Sequence, residues 1–173
     1  FLMSVMYHIL LVHSEPIKVW CARCDYMGIV AQITGGFITL LLCMFYNTPN
    51  TVCVYIGLHL ICVGIVMDTI HCNAHITTKD SDAERTAMFI GLACTVIVPL
   101  VHFIYATSVC PHVKATFVYH LLCFMGCVIV GAVLYVTHIP ERWYPVVFDM
   151  CGNSHELMHW TIVVGDRKST RLN

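Results

Sequence analysis

Two histidines near the end of the chain have the spacing of a metal-binding pair. His155 and His159 are four positions apart in an apolar segment that is predicted to be helical. Four residues bring side chains round to within about 40° of each other, so both imidazoles can reach one metal ion. With Glu156 the segment reads H-E-x-x-H, the zinc metalloprotease pattern in which the glutamate is the general base. The third ligand and the surroundings decide which kind of zinc site this is.

The surroundings predict a membrane. Hydrophobic residues make up 58% of the chain and charged residues 11%, with a mean hydropathy of +0.77. Soluble proteins carry about 25% charged residues. Four apolar runs approach or reach the roughly 20 residues that a helix needs to cross the hydrocarbon layer. They are Met27–Tyr46, Thr51–Met67, Ala87–Thr107 and Ala115–Val136.

Two further apolar segments are too short to cross a membrane alone. Phe1–Val12 and His155–Val164 lie at or near the ends of the chain, and we interpret both as truncated spans. Because backbone groups in lipid need internal partners, we expect every span to be a helix. The sequence predicts an all-α, multi-pass transmembrane helical bundle with six spans, formed by a single domain over residues 1–165. Residues 166–173 break the last span with charged residues, and we expect a non-native tail there.

The basic residues give an expected orientation. The predicted loops on one side are His13–Asp25, Asp68–Thr86 and Thr137–Ser154, which carry Lys18, Arg23, Lys79, Arg85 and Arg142. Loops on the other side carry only Lys114, so the first side is predicted to be cytosolic. His8, Asp25 and the His155/His159 pair adjoin that side and therefore reach a similar membrane depth. The sequence has no nucleotide motif and no basic stripe of the kind that binds nucleic acid.

Several short motifs, in order along the chain, resemble one family of membrane proteins. They are Ser4-x-x-x-His8, Asp25, Ile139-Pro140-Glu141-Arg142-Trp143, Phe148-Asp149 and Ser154-His155-x-x-x-His159, with His13-Ser14-Glu15 and Val101-His102-Phe103 as further positions. Together they resemble the progestin and adipoQ receptor family, which includes the adiponectin receptors and is similar to haemolysin III proteins. The resemblance covers residues 1–164 in order and spacing.

The resemblance implies a seven-helix membrane protein with a cytosolic N-terminus, whose first helix is absent from this chain and whose last is truncated. It also implies one zinc ion bound by His8, His155 and His159, with Asp25 acting through a zinc-bound water. Family members are receptors for hormones or steroids and have been linked to ceramide hydrolysis. We therefore expect three kinds of partner, namely the lipid bilayer, a ceramide-like lipid substrate and an extracellular hormone ligand.

The implied ligand set is compatible with hydrolysis. Three imidazoles and a water form a catalytic zinc site, since the fourth position stays open. Such a zinc polarises a carbonyl and lowers the pKa of its water, so a ceramidase-like amide hydrolase is the expected enzyme class. Ser4 lies one turn before His8 and can hydrogen-bond the water or a ligand. Glu156 departs from the family, where we expect an uncharged residue such as glutamine, and we interpret it as a neutral substitution.

Three classes of function stay open. The first is a zinc-dependent receptor that also hydrolyses ceramide-like amides. The second is a receptor whose zinc is purely structural and joins the second, third and seventh helices of the complete fold. The third is an H-E-x-x-H intramembrane zinc protease, which needs a further Asp or His ligand on a following helix. A water in the fourth zinc position distinguishes the first class from the second.

Overall fold

The structure, a computed structural model, describes residues 2–10, 14–77, 81–148 and 152–170. Within these ranges the side chains of Tyr7, His8, Ala74, Pro145 and residues 166–170 are not described. All regular structure in the described ranges is helical, which confirms the all-α prediction.

Within the described ranges, four helical segments are long and apolar enough to cross a membrane. They are α2 (Glu15–Met44), α3 (Pro49–Cys72), the pair α4 (Asp82–Cys94) and α5 (Ile97–Ala106), and α6 (Pro111–Thr137). The shorter described helices are α1 (Leu2–Leu10), α7 (Pro145–Phe148) and α8 (Ser154–Thr170), with a short 3-10 helix at Ala74–Thr77. Each of the four long apolar runs in the sequence lies in one of these segments apart from one or two residues at its end, so the multi-pass membrane fold is confirmed.

Helix α2 begins much earlier than its apolar run predicts. It starts at Glu15 rather than Met27, so the predicted loop His13–Asp25 is wrong from Glu15 onward. Pro16 is preorganised for the first turn of a helix, and the Glu15 carboxylate complements the positive end of the helix dipole. Charged residues interrupt the hydropathy of this stretch without interrupting its backbone hydrogen bonds, and α1 packs against α2.

The span formed by α4 and α5 is interrupted in the middle. Pro99 has no N–H to donate to the carbonyl of the residue four positions earlier, and its ring crowds that turn. At the break the N–H groups of Thr95 and Val96 donate to the carbonyls of Leu92 and Ala93, each at 3.3 Å and three residues earlier rather than four. The predicted continuous run Ala87–Thr107 is therefore two helices separated by Thr95 and Val96.

The chain forms two compact units, Phe1–Thr107 and Ser108–Asn173. In the first unit, α2, α3 and α4 pack around a small apolar core. Its buried members are Val30, Val66, Ile70 and Leu92.

In the second unit, α6 and α8 pack closely because glycines lie between them. A methyl group at Gly131 would clash with Oγ1 of Thr161 and lie 3.4 Å from Cα of Met158. A methyl group at Gly165 would lie 3.0 Å from Cβ of Cys127. Small residues of this kind let membrane helices approach each other closely.

Both short apolar segments of the sequence are helical where they are described. Helix α1 covers Leu2–Leu10, and α8 continues past Val164 as far as Thr170. The single-domain organisation over residues 1–165 and the non-native origin of residues 166–173 stay predictions.

Candidate metal centre

Helix α8 carries the two histidines of the H-E-x-x-H segment side by side, as its spacing predicts. The ring centroids of His155 and His159 are 4.8 Å apart, and the rings are tilted by 60°. Nε2 of His155 and Nδ1 of His159 are both buried. Tyr135 of α6 contacts the His155 ring edge to face, with ring centroids 5.5 Å apart. Packing on α6 therefore helps to orient the pair, and each ring has a nitrogen shielded from solvent.

Glu156, which lies between the two histidines, helps to cap the N-terminus of α8. Oδ1 of Asn153 accepts the Glu156 N–H at 2.9 Å, and Oε2 of Glu156 accepts the Gly152 N–H at 2.7 Å. This reciprocal pattern is a form of capping box, in which two otherwise unsatisfied N–H groups gain partners. Gly152 has a φ of 76°, a left-handed conformation that favours glycine. The spacing Asn153-x-x-Glu156 is the sequence signal for this cap, and our sequence reasoning missed it.

A second carboxylate reaches the same helix from the preceding loop. Oε2 of Glu141 accepts the Ser154 N–H at 2.8 Å, and Oε1 accepts the hydroxyl of the same serine. Nδ1 of His138 lies 3.9 Å from Oε1. Burial alone would raise the pKa of Glu141, but the hydrogen bonds from Ser154, a backbone hydrogen bond and the nearby His138 outweigh it and lower the pKa. Glu141 is therefore a carboxylate at neutral pH.

The other predicted site residues lie in the first unit. Ser4 of α1 is 6% exposed and Asp25 of α2 is 8% exposed, on two helices that pack together. A carboxylate buried this deeply in a membrane protein needs an interaction partner, and Asp25 has one. Ser4 is four residues before His8 on α1, so both positions share one helix face. The His8 side chain lies outside the described residues, and its role as a ligand stays a prediction.

The residues present fit zinc by their chemistry. Among the side chains that the structure describes, no group of three or more His, Cys, Asp and Glu is close enough to hold a metal ion. The convergence of His8 and Asp25 with the His155/His159 pair on one ion therefore stays a prediction. Two imidazoles side by side on one helix, each with a buried ring nitrogen, are a donor set that zinc takes.

A buried histidine in the middle of α3 is a polar feature that sequence reasoning did not identify. His59 is 2% exposed and stacks on Phe37 of α2, with ring centroids 4.1 Å apart. Its Nδ1 is 2.9 Å from Oγ1 of Thr95, and its Nε2 is 3.2 Å from Oγ1 of Thr34. We call His59, Thr95 and Thr34 the His59 node. They join α2, α3 and the break between α4 and α5.

The hydrogen bonds assign the tautomer of His59. Oγ1 of Thr95 donates its only hydrogen to the Leu92 carbonyl at 2.7 Å, so towards the ring it can only accept. His59 therefore donates from Nδ1, and in the neutral ring Nε2 accepts the hydroxyl hydrogen of Thr34. An ionisable residue inside a membrane span was the available sequence signal, since such residues are rarely placed there without a partner.

A second cross-helix pair lies one turn earlier on α3. The hydroxyl of Tyr55 is 2.9 Å from Nδ1 of His102 on α5, and Phe45 packs against both rings. His102 is one of the positions that carry the family resemblance in the sequence. In the structure, His102 joins α5 to α3 through its hydrogen bond with Tyr55.

Comparison with known proteins assigns the family. Residues 1–167 match the family described as haemolysin-III related. Heptahelical transmembrane protein 4 of Arabidopsis thaliana is 32% identical over 159 residues, which cover 91% of this chain and 40% of the relative. Progestin and adipoQ receptor-like protein 1 of Caenorhabditis elegans is 29% identical over 168 residues, which cover 94% of this chain and 37% of that relative. Heptahelical transmembrane protein ADIPOR1 of Oryza sativa subsp. japonica is 26% identical over 164 residues, which cover 95% of this chain and 43% of that relative.

The chain spans about two-fifths of the length of these curated relatives. The match nevertheless covers almost the whole of the chain, including the helices that are long enough to cross the membrane. The resemblance stated from the sequence motifs is thereby confirmed: this chain is a multi-pass membrane protein of the haemolysin-III-related family, together with the progestin and adipoQ receptor-like proteins.

Proposed function

We propose that this chain forms the membrane part of an adiponectin-receptor-like protein in which His8, His155 and His159 hold one zinc ion. The observation that carries the proposal is the His155/His159 pair, whose ring centroids are 4.8 Å apart on one helix. Two neighbouring imidazoles supply two of the four positions of a tetrahedral site. His8 supplies the third ligand in this proposal and leaves the fourth position open.

The open position makes hydrolysis of a ceramide-like amide the proposed reaction. A zinc ion held by the three histidines would polarise the amide carbonyl and lower the pKa of a water bound at the fourth position. Asp25 is buried on α2, and its carboxylate accepts a proton. The Ser4 hydroxyl, also buried, orients water or substrate by hydrogen bonding. In this proposal the acyl chains of the substrate enter laterally from the bilayer.

The basic loops and helix ends support a zinc site near the cytosolic side of the membrane. The opposite side is then the proposed binding surface for an extracellular hormone ligand. One of the relatives is named a progestin and adipoQ receptor-like protein, which supports a receptor role here. The intramembrane protease is less well supported, because the Glu156 carboxylate binds the backbone N–H of Gly152.

Zinc content and ceramide turnover of the purified protein test the proposal together. We expect about one zinc per chain, and its near-complete loss when either His155 or His159 is replaced by Ala. His120→Ala is the matched control, since it removes a histidine of α6 from outside the proposed site. Stoichiometric zinc in the His155→Ala protein would contradict the assignment.

Asp25→Asn separates the catalytic role from the structural one. We expect this variant to keep most of its zinc and to lose ceramide hydrolysis, because the amide cannot accept the proton. Parallel loss of zinc and turnover would instead make Asp25 a direct ligand. A wild-type protein with stoichiometric zinc and no turnover of any lipid amide would support the purely structural zinc.

A further inference from the structure

Glu141, in the loop between α6 and α7, places its carboxylate at the first residue of α8. Both oxygens of Glu141 are used, one on the Ser154 N–H at 2.8 Å and the other on the Ser154 hydroxyl. Ser154 is 2% exposed, so its contact with Glu141 is sheltered from water. A carboxylate that accepts both donors of one residue fixes the position of that residue and also complements the positive end of the helix dipole.

Ser154 is the first residue of α8 and is followed directly by His155. A helix is a rigid unit over a few turns, so a shift at Ser154 is transmitted to the rings of His155 and His159. Farther along, the close approach at Gly131 already sets the separation of α8 from α6. That packing restrains the separation of the helices but holds the first turn less firmly, because the N–H groups of a first turn need partners from outside the helix.

We infer that Glu141 is a positioning residue for the histidine pair of α8. It acts through Ser154, and the capping box of Glu156 completes the same turn from the other side. The consequence for metal binding rests on the proposed function. The consequence for the geometry of α8 does not. Groups that orient metal ligands in this indirect way change metal affinity by about 10–100-fold when they are removed.

Glu141→Leu is the test, because leucine has a similar bulk but no atom that accepts from either donor of Ser154, whereas glutamine could keep both contacts by accepting the N–H and donating to the hydroxyl oxygen. We expect its zinc affinity to fall by about 10–100-fold, measured by competition with a chelator, while saturating zinc still gives full stoichiometry. Amide hydrogen exchange at Ser154–Leu157 should accelerate in parallel. Glu84→Leu is the matched control, since that carboxylate is exposed and pairs with His75 in the first unit, outside the proposed site.

A double variant separates positioning from a general loss of stability. Leucine at position 141 leaves the N–H and the hydroxyl of Ser154 without their acceptor. Ser154→Ala removes only that hydroxyl, so adding it to Glu141→Leu should cause no further loss of zinc affinity. Additive losses would show that the two residues act separately and would overturn the inference. So would a Glu141→Leu protein with wild-type zinc affinity.

Absence of zinc from the wild-type protein would end the proposed function without deciding the role of Glu141. In that case the contact between the Tyr135 and His155 rings, followed by nuclear Overhauser effects, becomes the measurement. Loss of that contact in Glu141→Leu supports the positioning role. An unchanged contact together with unchanged amide exchange overturns it.

Discussion

Replacing Thr95 by Val tests the His59 node. Valine keeps the shape of threonine but removes Oγ1, which accepts the Nδ1–H of His59 at 2.9 Å and donates to the Leu92 carbonyl. His59 is 2% exposed, so water has little access to the donor that loses its partner. The substitution therefore leaves one buried ring nitrogen of His59 without its hydrogen-bond partner in the middle of a membrane protein.

Two magnitudes bear on the expected loss of stability. An unsatisfied buried donor costs about 1–3 kcal/mol in soluble proteins. Hydrogen bonds between membrane helices contribute about 0.6 kcal/mol on average and about 1.7 kcal/mol at most, because the unfolded chain in a membrane also finds partners. The membrane value sets the scale here. We expect a loss of about 0.6–1.7 kcal/mol, which lowers the ratio of folded to unfolded protein by about 3–20-fold.

Equilibrium unfolding by sodium dodecyl sulfate in mixed micelles measures this free energy. Thr69→Val is the matched control, since Oγ1 of Thr69 is exposed and donates to the Ile65 carbonyl of its own helix. We expect that control to stay within about 0.5 kcal/mol of the wild type. The ¹⁵N shifts of His59 should also identify the Nδ1–H tautomer. A Thr95→Val protein as stable as Thr69→Val, or an Nε2–H tautomer, would refute the reasoning.

Three further predictions use the same purified protein. Gly131→Ala should cost about 1–3 kcal/mol of stability in the micelle assay, and adding Thr161→Ala should restore part of it by removing the clashing hydroxyl; no recovery in the double variant would argue against that contact. Glu156→Gln should leave zinc binding and any ceramide turnover within a few-fold of the parent, whereas a collapse of turnover with zinc retained would favour the H-E-x-x-H protease. Folding lowers the pKa of Glu141, so the contact of its carboxylate with Ser154 should stabilise the fold fully above the pKa of an unfolded glutamate, about 4.3. This contribution should disappear as the pH falls through the lowered pKa of the folded state. The stability difference between wild type and Glu141→Gln, measured from about pH 7 to about pH 3, checks this; a difference that is the same at both ends would contradict it.

Hydropathy and spacing predicted what depends on local sequence. The four long apolar runs each became a membrane-crossing segment, because length and composition decide whether a helix can cross lipid. The spacing of His155 and His159 put their rings side by side, because helical pitch fixes that geometry. The early start of α2 at Glu15 was missed, since helix boundaries depend on capping and packing more than on hydropathy.

Contacts between distant residues were out of reach of the sequence. Glu156 is the exception, since the local pattern Asn153-x-x-Glu156 predicts a helix cap; the overlapping H-E-x-x-H pattern predicts a general base at the same residue. Glu141 reaches Ser154 only because the chain turns back after α6. The partners of His59 come from α2 and from the broken span, so no spacing in the sequence links them.

The zinc coordination of the purified protein tests the central claim most directly. X-ray absorption at the zinc edge reports the kind, number and distance of the ligand atoms. With His8, His155 and His159 as ligands, we predict three imidazole nitrogens at about 2.0–2.1 Å and one oxygen at about 2.0–2.2 Å. Sulfur ligands at about 2.3 Å, or a coordination shell unchanged in His155→Ala, would contradict the account.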